Sequence, residues 1–200
     1  MTLHRIITGL LAACVLAAPV AAEQLPLNAI SRYLNSFQTA RSDFTQVNDD
    51  GTLSRGTLFM KRPGRVRFEY SGRNAAKVIA GQGSVVIHDP KSNQPPESYP
   101  LRRTPLSIIL AERVDLGRAQ MVVGHDYDGT ATRVRAQDPE HPEYGSIDMY
   151  FTDSPVELRK WVINDGNGGQ TTVILGGIQT NLSLANSLFN TVTPSAIGDR

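Results

Sequence analysis

The sequence has a single cysteine, Cys14, and it lies within an N-terminal apolar segment. The rest of the chain can therefore form no disulfide and offers no thiol as a nucleophile or metal ligand. Beyond that first segment, no stretch has the ~20 apolar residues that a membrane-spanning helix needs. An excess of one charge is also lacking, since 20 Lys and Arg face 19 Asp and Glu. Such a balance lacks the basic footprint of a nucleic-acid binder and the attraction to a strongly anionic membrane surface.

Catalytic constellations are missing too. His88, His125 and His141 each stand alone, without the spacing that sets two ligands on one strand face or helix turn. There is no Gly-x-Ser-x-Gly elbow to present a serine nucleophile. Gly166, Gly168 and Gly169 precede a strand-like run, so they form a turn and not a phosphate cradle. The acids of Asp49-Asp50 and of Asp138 to Glu143 lie among turn residues, where solvated loop is the direct reading. The sequence argues for no enzyme and implies no cofactor and no metal.

What is present begins with a leader. A short start ending in Arg5, an apolar run from Ile6 to Ala18 and Pro19-Val20-Ala21-Ala22 together predict a signal peptide over residues 1–22, removed on export to the periplasm. Leu11-Ala12-Ala13-Cys14 also fits a lipobox, but the apolar run continues past the cysteine to the better cleavage site. The mature chain, 23–200, is expected to be one soluble domain. A secreted domain without disulfides depends on its core, and about 180 residues bury roughly 70% of their unfolded surface.

Leu25, Leu27, Ile30, Tyr33, Leu34 and Phe37 recur mainly at the helical period and predict an amphipathic first helix. From Asp43 the pattern becomes alternation, broken at Asn48 to Gly51 by residues suited to a hairpin turn. Strands are expected over Thr57–Lys61, Arg65–Tyr70, Lys77–Ala80 and Ser84–His88, with Arg62-Pro63-Gly64 and Gly81-Gln82-Gly83 as turns. Lys91 to Pro105 is proline-rich and reads as a long loop, extended near Glu97 to Leu101. Thr104 is placed as a cap, with Pro105 opening a short helix that carries Leu106, Ile109 and Leu110 on one face. Further strands follow at Ala119–Gly124, Thr132–Ala136, Ser146–Phe151, Val156–Ile163 and Gln170–Leu175, and the tail carries Leu182, Leu184, Leu188 and Phe189. The result is a mainly β fold with some α: an antiparallel sheet of 10–11 strands that must curl, its concave face covered by the helices.

Several segments are more specific than composition. Phe44-Thr45-Gln46, Gly56-Thr57-Leu58, the run Lys61 to Tyr70 beginning Lys-Arg-Pro-Gly, Asp89-Pro90 and Thr104-Pro105-Leu106 together resemble the LolA family of periplasmic lipoprotein carriers. The resemblance implies a half-open, curved antiparallel barrel that shields the acyl chains of lipoproteins. It would take them from an inner-membrane ABC transporter to an outer-membrane acceptor or to the outer membrane itself, as a monomer. It also makes Arg62 the latch that hydrogen-bonds to the lid helices, with Pro105, Leu106, Ile109 and Leu110 in the lid. Alternation independently puts Leu58, Met60, Val66, Phe68, Tyr70, Ile147, Met149, Phe151 and Leu158 on one apolar surface, a lining that flexible Met side chains let adapt to acyl chains. From sequence these residues are equally the lining of a cavity or a filled core. Two other functions stand beside the carrier: a LolB-like acceptor anchored through an acylated Cys14, and a periplasmic interaction module binding a protein or envelope polymer through Lys91 to Pro105.

Overall fold

The computed structural model describes residues 23–73, 75–117 and 120–191. The leader, Cys14 and the polar end after Thr191 lie outside the described residues. The chain opens with α1 (Leu27–Asn35), which buries Ile30 and Leu34 while Asn28 and Arg32 face outward, as its 3–4 spacing requires. It then forms β1 (Thr39–Val47), β2 (Leu53–Lys61), β3 (Arg65–Tyr70), β4 (Lys77–Gly81), β5 (Ser84–His88) and β6 (Glu97–Pro100). A 3-10 turn (Leu101–Arg103) and the single-turn α2 (Leu106–Ile109) follow. Next come β7 (Val122–Tyr127), β8 (Thr132–Gln137), β9 (Ser146–Asp153), β10 (Val156–Asn164), β11 (Gln170–Leu175) and the short β12 (Gln179–Thr180), before a last 3-10 turn (Asn186–Phe189).

All twelve strands form one antiparallel sheet in the order β6-β5-β4-β3-β2-β1-β11-β10-β9-β8-β7, with β12 on β1. The chain starts at the centre, works out to β6, crosses to β7 and returns to the centre. The crossing segment, residues 101–121, carries α2 and joins the two free edges of a sheet that is curved and open.

Alternation sorts the faces. The cross-strand pairs Leu58↔Phe68, Met60↔Val66, Val66↔Ala80, Trp161↔Met149 and Ile163↔Ile147 all point to the concave side. Their side chains join those of Ile30, Leu34, Phe37, Ile109, Leu110, Val114 and Leu116 in one buried cluster. Gly56 lies between Phe44 and Tyr70 in register, and a Cβ there would stand 2.9 Å from Phe44 Cε1 and 2.1 Å from the Glu69 carbonyl oxygen. The glycine is what lets the Phe44 ring lie edge-on to both Phe68 and Tyr70, at 5.4 and 5.3 Å.

Several expectations need correction. The second strand begins at Leu53 and not Thr57, because the Asn48–Gly51 turn is tight: Asn48 N–H donates to Thr52 O and Gly51 has φ +79°. Strand β7 runs Val122–Tyr127 instead of Ala119–Gly124, since pairing with Thr132–Gln137 fixes its register and polar His125 and Asp126 enter the ladder. Thr104 does not cap α2; its Oγ1 donates to Leu101 O and closes the preceding 3-10 turn, leaving Pro105 at the N-cap position. With a single turn, α2 has no apolar face of the expected kind: Ile108, Ile109 and Leu110 are buried and Leu106 only half-buried.

Candidate functional site

The nine residues expected to line an apolar surface are brought together. Leu58, Met60, Val66, Phe68, Ile147, Met149, Phe151 and Leu158 are buried, and half-buried Tyr70 packs against them. They fill one another's space beneath α1 and α2, so the face is packed and closed. Rings meet edge to face across it, Tyr33 with Phe151 at 6.1 Å and Phe68 with Trp161 at 6.4 Å.

Sequence reasoning passed over Trp161, Phe44 and the underside of the lid. Strict alternation from Leu158 would turn Lys160 inward, but the register shifts between Leu158 and Lys160. That bulge brings Leu158 and Trp161, three residues apart, to the same face. The signal available was the cation pair Arg159-Lys160, which cannot be buried unpaired in such a face.

The packed face opens at the end away from the Arg62 turn. A cavity of about 640 Å³ lies there between the ends of β1 to β5, with Gln46, Leu53, Tyr70, Val78 and Ile87 among its walls. Leu53, 62% exposed, stands at its rim. The Tyr70 hydroxyl donates to Gln46 Oε1 at 2.6 Å, and burial pushes its pKa up against that hydrogen bond.

At the opposite end lies Arg62, which is only 4% exposed. Its Nη2 donates to the carbonyls of Leu34 and Phe37, at the C-terminal end of α1 where carbonyls lack intrahelical donors. The guanidinium carbon sits 5.2 Å from the Phe37 ring centroid. No carboxylate pairs with it among the described residues, and its Nε and Nη1 are buried without a hydrogen-bond partner. Burial of this lone cation lowers its pKa. Expected contacts to both helices are found to one: Arg62 bonds to α1, and the same turn reaches the α2 end through its backbone, Gly64 N–H donating to Leu110 O at 2.8 Å.

The lid pieces are also tied to each other. Asn35 on α1 donates to Val114 O at 2.7 Å and accepts from Val114 N at 3.0 Å, while Ser31 Oγ accepts from Leu116 N at 3.0 Å. The Tyr33 hydroxyl accepts from Leu158 N at 3.2 Å, which seats α1 on β10. Pro105, Leu106, Ile109 and Leu110 all lie in this cover, so the expected lid residues are together.

Elsewhere the titratable groups make local structure. Asp138 Oδ1 accepts from the backbone of Glu140 and His141, and His141 stacks on Tyr144 at 4.7 Å. Among the described residues no three His, Cys, Asp or Glu side chains are grouped to hold a metal ion. No helix among them is long and apolar enough to cross a membrane.

Comparison with known proteins adds a family. The family model described as "Outer membrane lipoprotein carrier protein LolA" matches residues 35–192. Among curated proteins, an "Outer-membrane lipoprotein carrier protein" of Methylobacillus flagellatus is 23% identical, over 84% of this chain and 85% of its own length. One of the same name from Azotobacter vinelandii is 22% identical, over 97% and 96%. A solved LolA superfamily protein from Nitrosomonas europaea superposes with a TM-score of 0.43 at 8% identity, covering 83% of this chain and 98% of that one.

Proposed function

The chain belongs to the LolA family of outer membrane lipoprotein carriers, and from that premise we propose that it is a periplasmic carrier that shields lipoprotein acyl chains on its concave face. In this reading the leader is removed after Ala22, and the mature chain works as a monomer and as a transport protein, without catalysis. It accepts lipoproteins released from the inner membrane by an ABC transporter and passes them to an outer-membrane acceptor or to the outer membrane itself.

One observation carries the reading: a largely apolar concave face is covered by a lid that polar contacts hold at its end. Beside its apolar packing and satisfied hydrogen bonds, the cover rests at one end on a buried, unpaired guanidinium that bonds to two helix-end carbonyls while two of its own nitrogens go without partners. Such a cover is openable. Acyl chains entering at the Leu53 and Tyr70 mouth would displace it and occupy the surface formed by Leu58, Met60, Val66, Phe68, Ile147, Met149, Phe151 and Leu158.

Energetics set the requirement for a latch. Each buried methylene contributes about 0.8 kcal/mol, so full burial of several acyl chains would bind almost irreversibly. Contacts that form only in the closed state offset part of that gain and make release feasible. The test is reconstitution: membranes holding an acylated lipoprotein and its energised transporter are incubated with the mature protein, and the soluble fraction is assayed. Lipoprotein should enter that fraction only when the carrier is present, and its absence there would overturn the proposal.

A further inference from the structure

The face opposite the lid carries a cavity that the carrier reading does not use. Ile79 and Val86 are paired across β4 and β5 and are buried, yet they point away from Ala80 and Val85 and lie outside the main core cluster. The last segment of the described chain is drawn across this convex face by polar ties to its carbonyls. Lys61 Nζ donates to Leu184 O at 2.6 Å and Arg67 Nη1 to Leu188 O at 3.0 Å, and His88 Nε2 lies 3.3 Å from Thr191 O. Gly81 permits the closest approach, because a Cβ there would sit 2.4 Å from Phe189 O.

Held at these points, the segment does not fill the space beside it. A cavity of about 630 Å³ remains between Ser187 and Asn190 of the tail, the outer faces of β3 to β5, and the loop after His88. Its walls include Ile79, Pro90, Pro96, the side chains of Arg67 and Lys77, and the acidic Asp89, and most of the surface they expose is apolar. That volume falls within the about 300–1,000 Å³ of small-molecule sites, which join apolar walls to a few polar groups. Of the charges in its lining, Arg67 is neutralised by Glu69 at 2.5 Å, Asp89 keeps its negative charge while its Oδ1 accepts from Lys91 N at 2.9 Å, and Lys77 is exposed with no ion pair among the described residues, which leaves it as the cation available to an anionic head.

We propose that this convex-face cavity is a second binding site, separate from the concave surface, for a single-chain amphiphile whose anionic head, a carboxylate or a phosphate, meets Lys77. The chain lies along Ile79 between the Pro90–Pro96 loop and the tail. The lid takes no part, so occupancy here is independent of the latch at Arg62.

Methyl NMR of the full mature protein tests it, with dodecanoate and dodecyl phosphate titrated below micelle-forming concentrations and dodecyltrimethylammonium as the cationic counterpart. A saturable shift of the Ile79 methyl with an anionic probe, and little with the cationic one, is expected. Response to dodecyl phosphate alone would mark the natural head as a phosphate, and response to dodecanoate alone a fatty acid. Lys77→Glu should weaken anionic binding about tenfold, as loss of one charge-assisted contact does. Gln94→Trp, placed on the exposed loop so that the fold is untouched, should abolish it by filling the cavity. Shifts confined to concave residues such as Ile147 would overturn the proposal. Equal binding of the cationic probe would overturn the role of Lys77.

Discussion

Replacing Arg62 by leucine separates a latch from an ordinary buried arginine. In the closed state Nη2 makes two charge-assisted hydrogen bonds, worth about 1.5–3 kcal/mol each, and the guanidinium lies over Phe37, worth about 2 kcal/mol when desolvated. Against these stand the unpaired Nε and Nη1, which cost about 1–3 kcal/mol each and regain water when the lid lifts. Mid-range values give about 6.5 kcal/mol against about 4 kcal/mol, so the latch favours closure by about 2.5 kcal/mol, the burial of roughly three methylenes. Any acyl chain exceeds that threshold, so in the proposed reading a latch of this size would permit loading while assisting release. Arg62→Leu should load normally and release lipoprotein to acceptor vesicles about 60-fold more slowly, at about 1.4 kcal/mol per factor of ten. Its Tm should fall by no more than about 5–10 °C. Release at the wild-type rate by a folded Arg62→Leu protein would refute the latch, and a far larger fall in Tm would mark Arg62 as a structural residue.

Further outcomes follow from the packing. Gly56→Ala drives a Cβ into the Glu69 carbonyl and should cost about 3 kcal/mol or more, whereas Gly177→Ala meets nothing within 4 Å and should change stability by under about 0.5 kcal/mol; thermal melts compare the two. Trp161, the one tryptophan, is buried against Phe68, so its emission should be blue-shifted and resist acrylamide quenching in the empty protein. Both properties should change on loading if cargo displaces that contact, and an unchanged spectrum in a loaded complex would argue against concave binding. Burial pushes the Asp148 pKa up, but hydrogen bonds from Arg135 and Asn164 outweigh it and hold the carboxyl below its ordinary value. Its stabilisation is therefore full above the unfolded pKa of about 3.9 and is lost as pH falls through the lower folded value. Asp148→Asn should cost about 1–2 kcal/mol at neutral pH, discounted because Arg135 is half-exposed, and should flatten the acid limb of denaturation.

Much of this architecture is legible where a residue's local chemistry and its tertiary setting agree. Val66, Phe68 and Tyr70 alternate with Arg65, Arg67 and Glu69, and the strand they predict is the one that forms. Asn48 to Gly51 turns as its residue types demand. Where local pattern and tertiary pairing part, the sequence misleads. Register with β8 moves β7 three residues along, the bulge before Lys160 exchanges one inward residue for another, and the tail through the Asn186–Phe189 turn is held by contacts of its Leu184 and Leu188 carbonyls with Lys61 and Arg67 that no periodicity announces. The site is legible as a set of apolar positions, but whether they pack on one another or on a ligand depends on the lid. The lid in turn depends on Asn35, Ser31 and Arg62 meeting backbone groups up to 85 residues away.

The most direct test of the carrier account is native mass spectrometry of the protein, purified from periplasm without detergent, after incubation with membranes that hold a triacylated lipoprotein and the energised transporter. The account predicts a mature chain beginning at Glu23 that gains one lipoprotein per molecule, and none when the lipoprotein lacks its acyl chains. A soluble form that never acquires cargo, or that binds acylated and unacylated lipoprotein alike, would contradict it.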